Sequence, residues 1–137
     1  MRLLIWHVDS FTAEPTERGR SKIADSEPRI ATVTDGLVIF AAVEKADEPQ
    51  PDAVAARAAQ AIAEVARQLG AHDVLLHSFA HLFVELSTPS AARDILQATQ
   101  RLLEADGYQV SQSAFGWFNR IEMRAKGHPL SRVARQI

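Results

Sequence analysis

Residues 52–70 constrain the fold most, because they carry a clear helical periodicity. Apolar residues recur there at intervals of three and four: Val54, Ala58, Ile62, Val65 and Leu69. This spacing places them on one face of an α-helix, with Asp52 as its N-cap and Gly70 as its C-terminal cap. A helix with one apolar face must pack on another element, so the flanking segments are expected to supply a hydrophobic surface.

The flanking segments predict strands and one further helix. Ser87 or Thr88 is expected to cap the second helix, with Pro89 in its first turn and Gly107 at its end. Residues 10–29 are polar, contain two prolines and a glycine, and predict a loop. Strands are expected at 3–8, at about 29–34 and 37–44 with a hairpin at Asp35-Gly36, at 74–79, at 108–111 and at 115–125. The order β-ββ-α-β-α-ββ predicts a single α+β domain over residues 1–137, with two helices packed on a mixed sheet.

Composition narrows the function classes. The chain has 137 residues, 47% hydrophobic and 23% charged, with no cysteine and a net charge of -2. These values fit a globular domain without disulfides or thiolate metal sites, and they argue against a generally basic coat protein for nucleic acid. From residue 115 onwards, however, there are five cations and one anion, and this local excess fits either a local phosphate contact or a solvated strand face and tail. The N-terminus lacks a signal peptide and no apolar run could span a bilayer, so a cytoplasmic protein with no membrane contact is expected.

Five histidines are the natural proton-transfer groups near neutral pH. His81 and His128 each follow a predicted strand, beside Ala80 and Gly127, where a small neighbour lets a ligand approach the backbone. The four-residue spacing of His77 and His81 begins in a strand and is weak evidence for zinc. No glycine-rich phosphate loop or Gly-x-Ser-x-Gly turn occurs, and neither a cofactor nor a metal is expected. The residues alone therefore predict a polar pocket at strand ends and name no reaction.

Six motifs, taken together and in order, go further. They are Met1-Arg2-Leu3-Leu4-Ile5-Trp6-His7-Val8-Asp9, Val43-Glu44-Lys45, Ser78-Phe79-Ala80-His81-Leu82, Pro89-Ser90 with Asp94-Ile95-Leu96, Ala114-Phe115-Gly116-Trp117 and Lys126-Gly127-His128-Pro129-Leu130. This combination resembles the N-terminal editing domain of archaeal-type threonyl-tRNA synthetase. The resemblance covers essentially the whole chain apart from residues 10–29.

The resemblance implies a D-aminoacyl-tRNA deacylase-like fold, a homodimer and hydrolysis of seryl-tRNA made in error for threonine. The implied partners are the aminoacylated 3′ end of tRNA and a threonyl-tRNA synthetase catalytic subunit or domain. The resemblance also implies catalytic roles for two residues. His81 would hold the substrate or the water, and the backbone at Ala80 would take part as well. The implied substrate-binding residues are Val43, Phe79, Ala80, His81, Phe115, Gly116, Trp117, Phe118 and Asn119. Lys126, Arg120 and Arg124 are the expected RNA contacts.

One departure from the family bears on the activity. The family commonly carries a lysine after two aromatic residues, and Asn119 stands there in this chain. Lys22 or Lys45 would have to supply the missing ammonium group. The alternatives are a catalytically silent module for tRNA binding or dimerisation, and a D-aminoacyl-tRNA deacylase.

Overall fold

The computed structural model describes residues 1–80 and 85–137, which form a six-stranded sheet and two α-helices. The helices are α1 (Pro51–Leu69) and α2 (Pro89–Ala105), and a short 3₁₀ helix spans Lys45–Asp47. The strands are β1 (Arg2–Arg18), β2 (Ala31–Ala42), β3 (Asp73–Ser78), β4 (Gln109–Gln112), β5 (Trp117–Ala125) and β6 (Arg132–Gln136). Neither helix has the length and apolar composition needed to cross a bilayer, as far as the described residues go.

The strand order is β4-β3-β2-β1-β5, and β6 also pairs with β1. β1 has 17 residues, so its first part pairs with β6 and its later part with β5 on the same side. The β2–β3 and β3–β4 pairs are parallel, whereas β1 is antiparallel to all three of its neighbours. The sheet is therefore mixed, and the α+β prediction is confirmed. β6 was not predicted, because its alternation is hidden among charged residues.

Both helices pack against one face of the sheet. Residues such as Ile62 of α1 and Ile95 of α2 are fully buried against Ile5, Ile39 and Leu76 of the strands. This arrangement removes the apolar helix faces from water, which stabilises the fold by roughly 25 cal/mol per Å².

The helix ends confirm most of the predicted caps. Gly70 adopts a left-handed conformation (φ 65°) after α1, and Thr88 caps α2 by accepting a hydrogen bond from the Ala91 N–H. The prediction of Asp52 as the α1 N-cap was wrong: Gln50 is the N-cap and Pro51 is the first helical residue. Proline suits that position because it has no N–H to leave unpaired and its φ is already helical.

The predicted loop at residues 10–29 was wrong for its first part, because β1 continues to Arg18. Phe11 and Ala13 are buried, whereas Thr12 and Glu14 are partly exposed, and this segment pairs with β2 on one side and β5 on the other. Pro15 is tolerated because the pairing with β2 has ended at Ala13. This segment is a strand because it pairs with β2 and β5, and the local composition does not reveal such long-range pairing.

The predicted hairpin at Asp35-Gly36 was also wrong, because β2 runs straight through it. Asp35 has a φ of +50°, and it lies opposite Asp9 in the register between the pairs Val8–Gly36 and Ser10–Thr34. A Cβ on Gly36 would lie 2.5 Å from the Asp73 carbonyl oxygen, so a neighbouring strand occupies the space that a turn would need. The left-handed residue bends the strand within the sheet instead of reversing the chain.

The bend builds a second core on the face away from the helices. After Gly36, Leu37 and Ile39 face the helices, and Val38 and Phe40 face the other side. Before Asp35, Val33 belongs to the same second cluster as Val38 and Phe40, so the alternation of β2 shifts by one residue at the bend. In β1 the alternation shifts in the same way, so Val8 and Phe11, which are three residues apart, both belong to the second cluster. The centres of the Phe11 and Phe40 rings are 6.0 Å apart. The two residues are not paired in the sheet, because Phe11 lies opposite Val33 and Phe40 opposite Leu4, so the sheet must be strongly curved between them.

Candidate functional site

A cavity of about 280 Å³ lies where β2 and β3 end, beneath the start of α2. Its walls are mainly main chain and small side chains from five separate segments. They are Gly19, Arg20 and Ser21; Ala41, Ala42 and Val43; Ser78 and Ala80; and Leu86, Ser87, Pro89 and Ala92, closed by Phe115, Gly116, Trp117 and Phe118. Small-molecule sites usually start at about 300 Å³, so this cavity suits a small ligand.

Parallel strands bring the first walls together. Because β2 and β3 run in the same direction, their carboxyl ends meet at one edge of the sheet. The Phe79 N–H continues the ladder by donating to the Ala41 carbonyl oxygen (2.9 Å). On the other side, the Ser87 N–H donates to the Val43 carbonyl oxygen (3.0 Å), which fixes the segment before α2 against the end of β2. These walls are therefore held by backbone hydrogen bonds.

Two glycines form the opposite wall. The Gly19 N–H donates to the Gly116 carbonyl oxygen (2.8 Å), and Gly116 has a φ of +76°. A Cβ on Gly116 would lie 2.8 Å from the Ala24 Cβ, and a Cβ on Gly19 would lie 2.6 Å from the Gly116 oxygen. The connection after β1 and the segment before β5 are thus in direct backbone contact, with no space for side chains between them.

Asp25 also joins the connection after β1 to the segment before β5, through hydrogen bonds. Its carboxylate pairs with the Arg93 guanidinium of α2 and accepts a hydrogen bond from the Phe115 N–H (2.7 Å). Its carbonyl oxygen accepts from the Trp117 indole N–H (2.9 Å), and its own N–H donates to the Phe115 carbonyl oxygen (3.0 Å). The Arg93 guanidinium also lies 5.5 Å from the centre of the Phe115 ring. One residue of the connection therefore orients two of the aromatic side chains that close the cavity.

The structure brings together most of the predicted substrate-binding residues. Val43, Ala80, Phe115, Gly116, Trp117 and Phe118 all line the cavity. Phe79 does not: its ring packs on Phe40 at 5.2 Å, on the face away from the helices. His81, the predicted catalytic histidine, lies outside the described residues, as do positions 82–84.

Asn119 and the two replacement lysines are not among the lining residues. The Asn119 amide donates to the Trp117 carbonyl oxygen (3.0 Å), and its Oδ1 atom is buried without a hydrogen-bond partner in the described structure. Lys22 and Lys45 are exposed and do not line the cavity.

The second histidine motif forms a separate cluster far from the cavity. Lys126 stands nine residues beyond Trp117, roughly 30 Å along an extended strand. Its Nζ atom lies 2.8 Å from Asp35 Oδ1 and 2.9 Å from Asp9 Oδ1, so it bridges the two residues at which the sheet bends. These hydrogen bonds raise the pKa of Lys126 and lower those of both aspartates. The other expected RNA contacts are also ion-paired, Arg120 with Glu14 (3.3 Å) and Arg124 with Asp9 (3.4 Å).

His128 completes this cluster. Its Nε2 atom lies 2.9 Å from His7 Nδ1, and the rings meet edge to face. Burial, followed by the positive charge of Lys126, lowers the pKa of His7. The Ser131 N–H and hydroxyl both donate to the His128 carbonyl oxygen (2.9 and 2.6 Å), which closes a turn. The cluster is internally hydrogen-bonded and lies apart from the cavity.

A third histidine is buried in the second core. His77 lies among the Phe11, Phe40 and Phe79 rings, and its Nδ1 atom is 2.7 Å from the Ser113 hydroxyl. Burial lowers the pKa of His77 to about 4, so the ring is neutral near neutral pH. With 4% of its surface exposed, it is a packed core residue.

Sequence reasoning missed Arg20, which is the one charged residue among the described residues that line the cavity. Its segment carried no periodicity that could place it. Only the contacts of Gly19 and Asp25 bring this connection to the mouth of the cavity.

The fold defines the class of domain. A solved structure of the c-Myc DNA unwinding element binding protein is similar over 100% of this chain and 99% of that chain, with a TM-score of 0.65 and 9% sequence identity. At this identity the similarity concerns the fold alone. The chain has a D-aminoacyl-tRNA deacylase-like fold, as the resemblance implied.

Residues 1–137 match the family described as the archaea-specific editing domain of threonyl-tRNA synthetase, and the chain belongs to this family. Similar curated proteins are threonine–tRNA ligases: from Methanopyrus kandleri, 42% identical over 139 residues, from Methanosphaerula palustris, 37% over 138, and from Methanocaldococcus jannaschii, 35% over 138. Each alignment covers 100% of this chain, and the chain spans 22% of the length of each relative. The family resemblance drawn from the six motifs is confirmed.

Proposed function

We propose that the chain is a proofreading hydrolase that deacylates seryl-tRNA mischarged in place of threonine and spares threonyl-tRNA. The observation that carries this proposal is the small cavity at the ends of β2 and β3, in a chain that belongs to an editing-domain family. The two segments that are expected to bind serine, around Val43 and Ala80, line this cavity. It faces the aromatic wall that begins at Phe115.

Discrimination by a second pocket follows from simple energetics. Serine lacks one methyl group of threonine, and a site built for threonine rejects serine by only about 1–3 kcal/mol of lost contact. A second pocket with no space for the methyl group supplies the remaining discrimination by steric clash. Such a pocket needs walls that do not move. Val43 and Gly116 suit this purpose, because their main-chain atoms are held by hydrogen bonds to Ser87 and Gly19.

The proposed reaction is hydrolysis of the ester by a positioned water molecule. Water attacks the carbonyl carbon, the bond to the ribose oxygen breaks, and that oxygen receives a proton with help from the neighbouring ribose hydroxyl. Backbone N–H groups near Ala80 would polarise the carbonyl. His81 would hold the substrate or the water.

The proposed partners are the aminoacylated 3′ end of tRNA, the synthetase to which such domains belong, and a second copy of the chain. Arg120, Arg124 and Lys126 would contact RNA after exchanging their carboxylate partners for phosphate. The proposed dimer is supported by β5, whose outer edge is unpaired among the described residues and whose Ile121 and Met123 are 38% and 39% exposed. The proposed location is the cytoplasm.

A deacylation assay tests the proposal. The wild-type chain is mixed separately with seryl-, threonyl- and D-aminoacyl-tRNA, and the loss of the aminoacyl ester is followed in time. We expect seryl-tRNA to be hydrolysed at least tenfold faster than threonyl-tRNA, and we expect the His81→Ala variant to be much slower than wild type on seryl-tRNA.

The other outcomes identify the alternatives. Equal rates on the seryl and threonyl esters contradict proofreading. Preferential hydrolysis of the D-aminoacyl ester identifies a D-aminoacyl-tRNA deacylase. Normal tRNA binding without hydrolysis identifies a silent binding module, which the absence of the family lysine at Asn119 would then explain.

A further inference from the structure

Arg20 gives the cavity its only charge among the described lining residues. The other lining groups are main chain, small aliphatic and hydroxyl side chains, and aromatic rings. Arg20 is exposed and makes no hydrogen bond or ion pair with the described part of the chain. A guanidinium group at the mouth of a neutral cavity attracts an anion, because little else nearby offsets its charge.

The backbone beside Arg20 is fixed on both sides. Gly19 is hydrogen-bonded to Gly116. Asp25, in the same connection, is hydrogen-bonded to Phe115 and Trp117 and forms an ion pair with Arg93. The Cα of Arg20 is therefore held at the cavity, although its side chain is long. This placement distinguishes it from Arg29, which is equally exposed in the same connection but does not line the cavity.

The chemistry of the proposed substrate selects the anion. In an aminoacyl ester the carboxyl group of serine is esterified and neutral, and its amino group is a cation that a guanidinium group repels. The nearest anion is the phosphodiester that joins the terminal nucleoside to the rest of the RNA. Arginine matches phosphate oxygens with two parallel N–H donors.

Resting on the proposed function, we propose that Arg20 binds the phosphate on the 5′ side of the terminal adenosine and so anchors the aminoacyl end in the cavity. Arg20 is then a binding residue and takes no part in the chemical step. Its contribution appears in the affinity for the RNA end and in the KM, and it leaves kcat nearly unchanged.

The test compares two non-hydrolysable probes. One is 3′-serylamino-3′-deoxyadenosine with a 5′-phosphate, and the other is the same compound without the phosphate. Calorimetric titration of the 137-residue chain measures both affinities in wild type, in Arg20→Gln and in the matched control Arg29→Gln. We expect Arg20→Gln to lose about tenfold in affinity for the phosphate probe and nothing for the other. We expect Arg29→Gln to behave as wild type.

The dependence of probe affinity on salt concentration separates a phosphate contact from a purely structural role of Arg20. The affinity for the phosphate probe should weaken as the salt concentration rises, and Arg20→Gln should lose most of that dependence, because salt screens the attraction between guanidinium and phosphate. With seryl-tRNA, Arg20→Gln should raise KM and keep kcat within about twofold.

The inference is overturned if wild type binds both probes equally or binds neither. It is also overturned if Arg20→Gln weakens both probes alike, which would place the guanidinium on the serine or the ester. Failure of the proposed function is seen separately: wild type would then leave seryl-tRNA intact, whatever the two probes show about Arg20.

Discussion

The two histidine motifs, at Ser78–Leu82 and Lys126–Leu130, look alike in the sequence but belong to regions built on opposite principles. The cavity end leaves its cation, Arg20, without a partner among the described residues and rests on rigid backbone. At the bend end the polar groups are bonded to one another: Lys126 forms ion pairs with two aspartates, and His128 shares a hydrogen bond with His7. A group without a partner can meet a ligand directly, whereas groups that already have partners stabilise the fold and bind a ligand only by exchanging those partners.

The largest difference between the two regions is expected from the same glycine-to-alanine change in both. Gly116→Ala introduces a Cβ 2.8 Å from Ala24 at a positive φ, so we expect a loss of about 2–5 kcal/mol in the free energy of unfolding and at least a tenfold slower deacylation of seryl-tRNA. Gly127→Ala has open space around its Cβ and should change stability by less than about 0.5 kcal/mol. Urea denaturation and the deacylation assay measure both. Equal effects of the two variants would show that the cavity wall is not specially constrained.

The buried His77, which belongs to neither region, makes the stability of the fold depend on pH. Its pKa is about 4 in the folded chain and about 6.5 when unfolded, so the unfolded chain binds the proton first as the pH falls. Stability should therefore be full above about pH 6.5 and decline by about 3 kcal/mol as the pH falls to 4. Chemical denaturation of wild type and His77→Gln at several pH values isolates this contribution, and an identical pH dependence in the two proteins would contradict it.

An aspartate-to-asparagine change compares the two ionic networks. Asp25→Asn weakens the pair with Arg93 and the bond from the Phe115 N–H, so we expect a loss of about 1–3 kcal/mol in stability together with slower deacylation. Asp9→Asn removes an exposed carboxylate and should leave deacylation unchanged, with little change in melting temperature. If Asp9→Asn impairs deacylation as much as Asp25→Asn does, the separation of the two regions is wrong.

The smallest effect is expected from His128→Ala. His128 lies far from the cavity, so the deacylation rate should stay within about twofold of wild type. Its charge contributes to the low pKa of His7, and its removal should raise that pKa slightly. An NMR titration of the His7 ring measures the shift. A large loss of activity would show instead that this histidine takes part in the site.

Local patterns predicted the parts of the molecule that depend on neighbouring residues. The apolar stripe from Val54 to Leu69, the left-handed Gly70 and the Thr88 cap are determined within one or two turns of helix, and all were found. The later half of β1 and the passage of β2 through Asp35-Gly36 were missed, because strands far away in sequence supply their hydrogen bonds. The same reason explains Arg20, whose place at the cavity depends on Gly116 and Phe115, almost a hundred residues away.

The sequence alone was enough to determine the family and to identify six of the residues that line the cavity, Val43, Ala80 and residues 115–118, since these are carried by short motifs in a fixed order. Which charged groups are already paired was decided only by the tertiary structure. Partners in an ion pair are chosen by proximity in space. The pairing of β1 with β2 and β5 brings Lys126 to Asp9 and Asp35, whereas no described carboxylate pairs with Arg20. No one-dimensional pattern encodes that difference in distance.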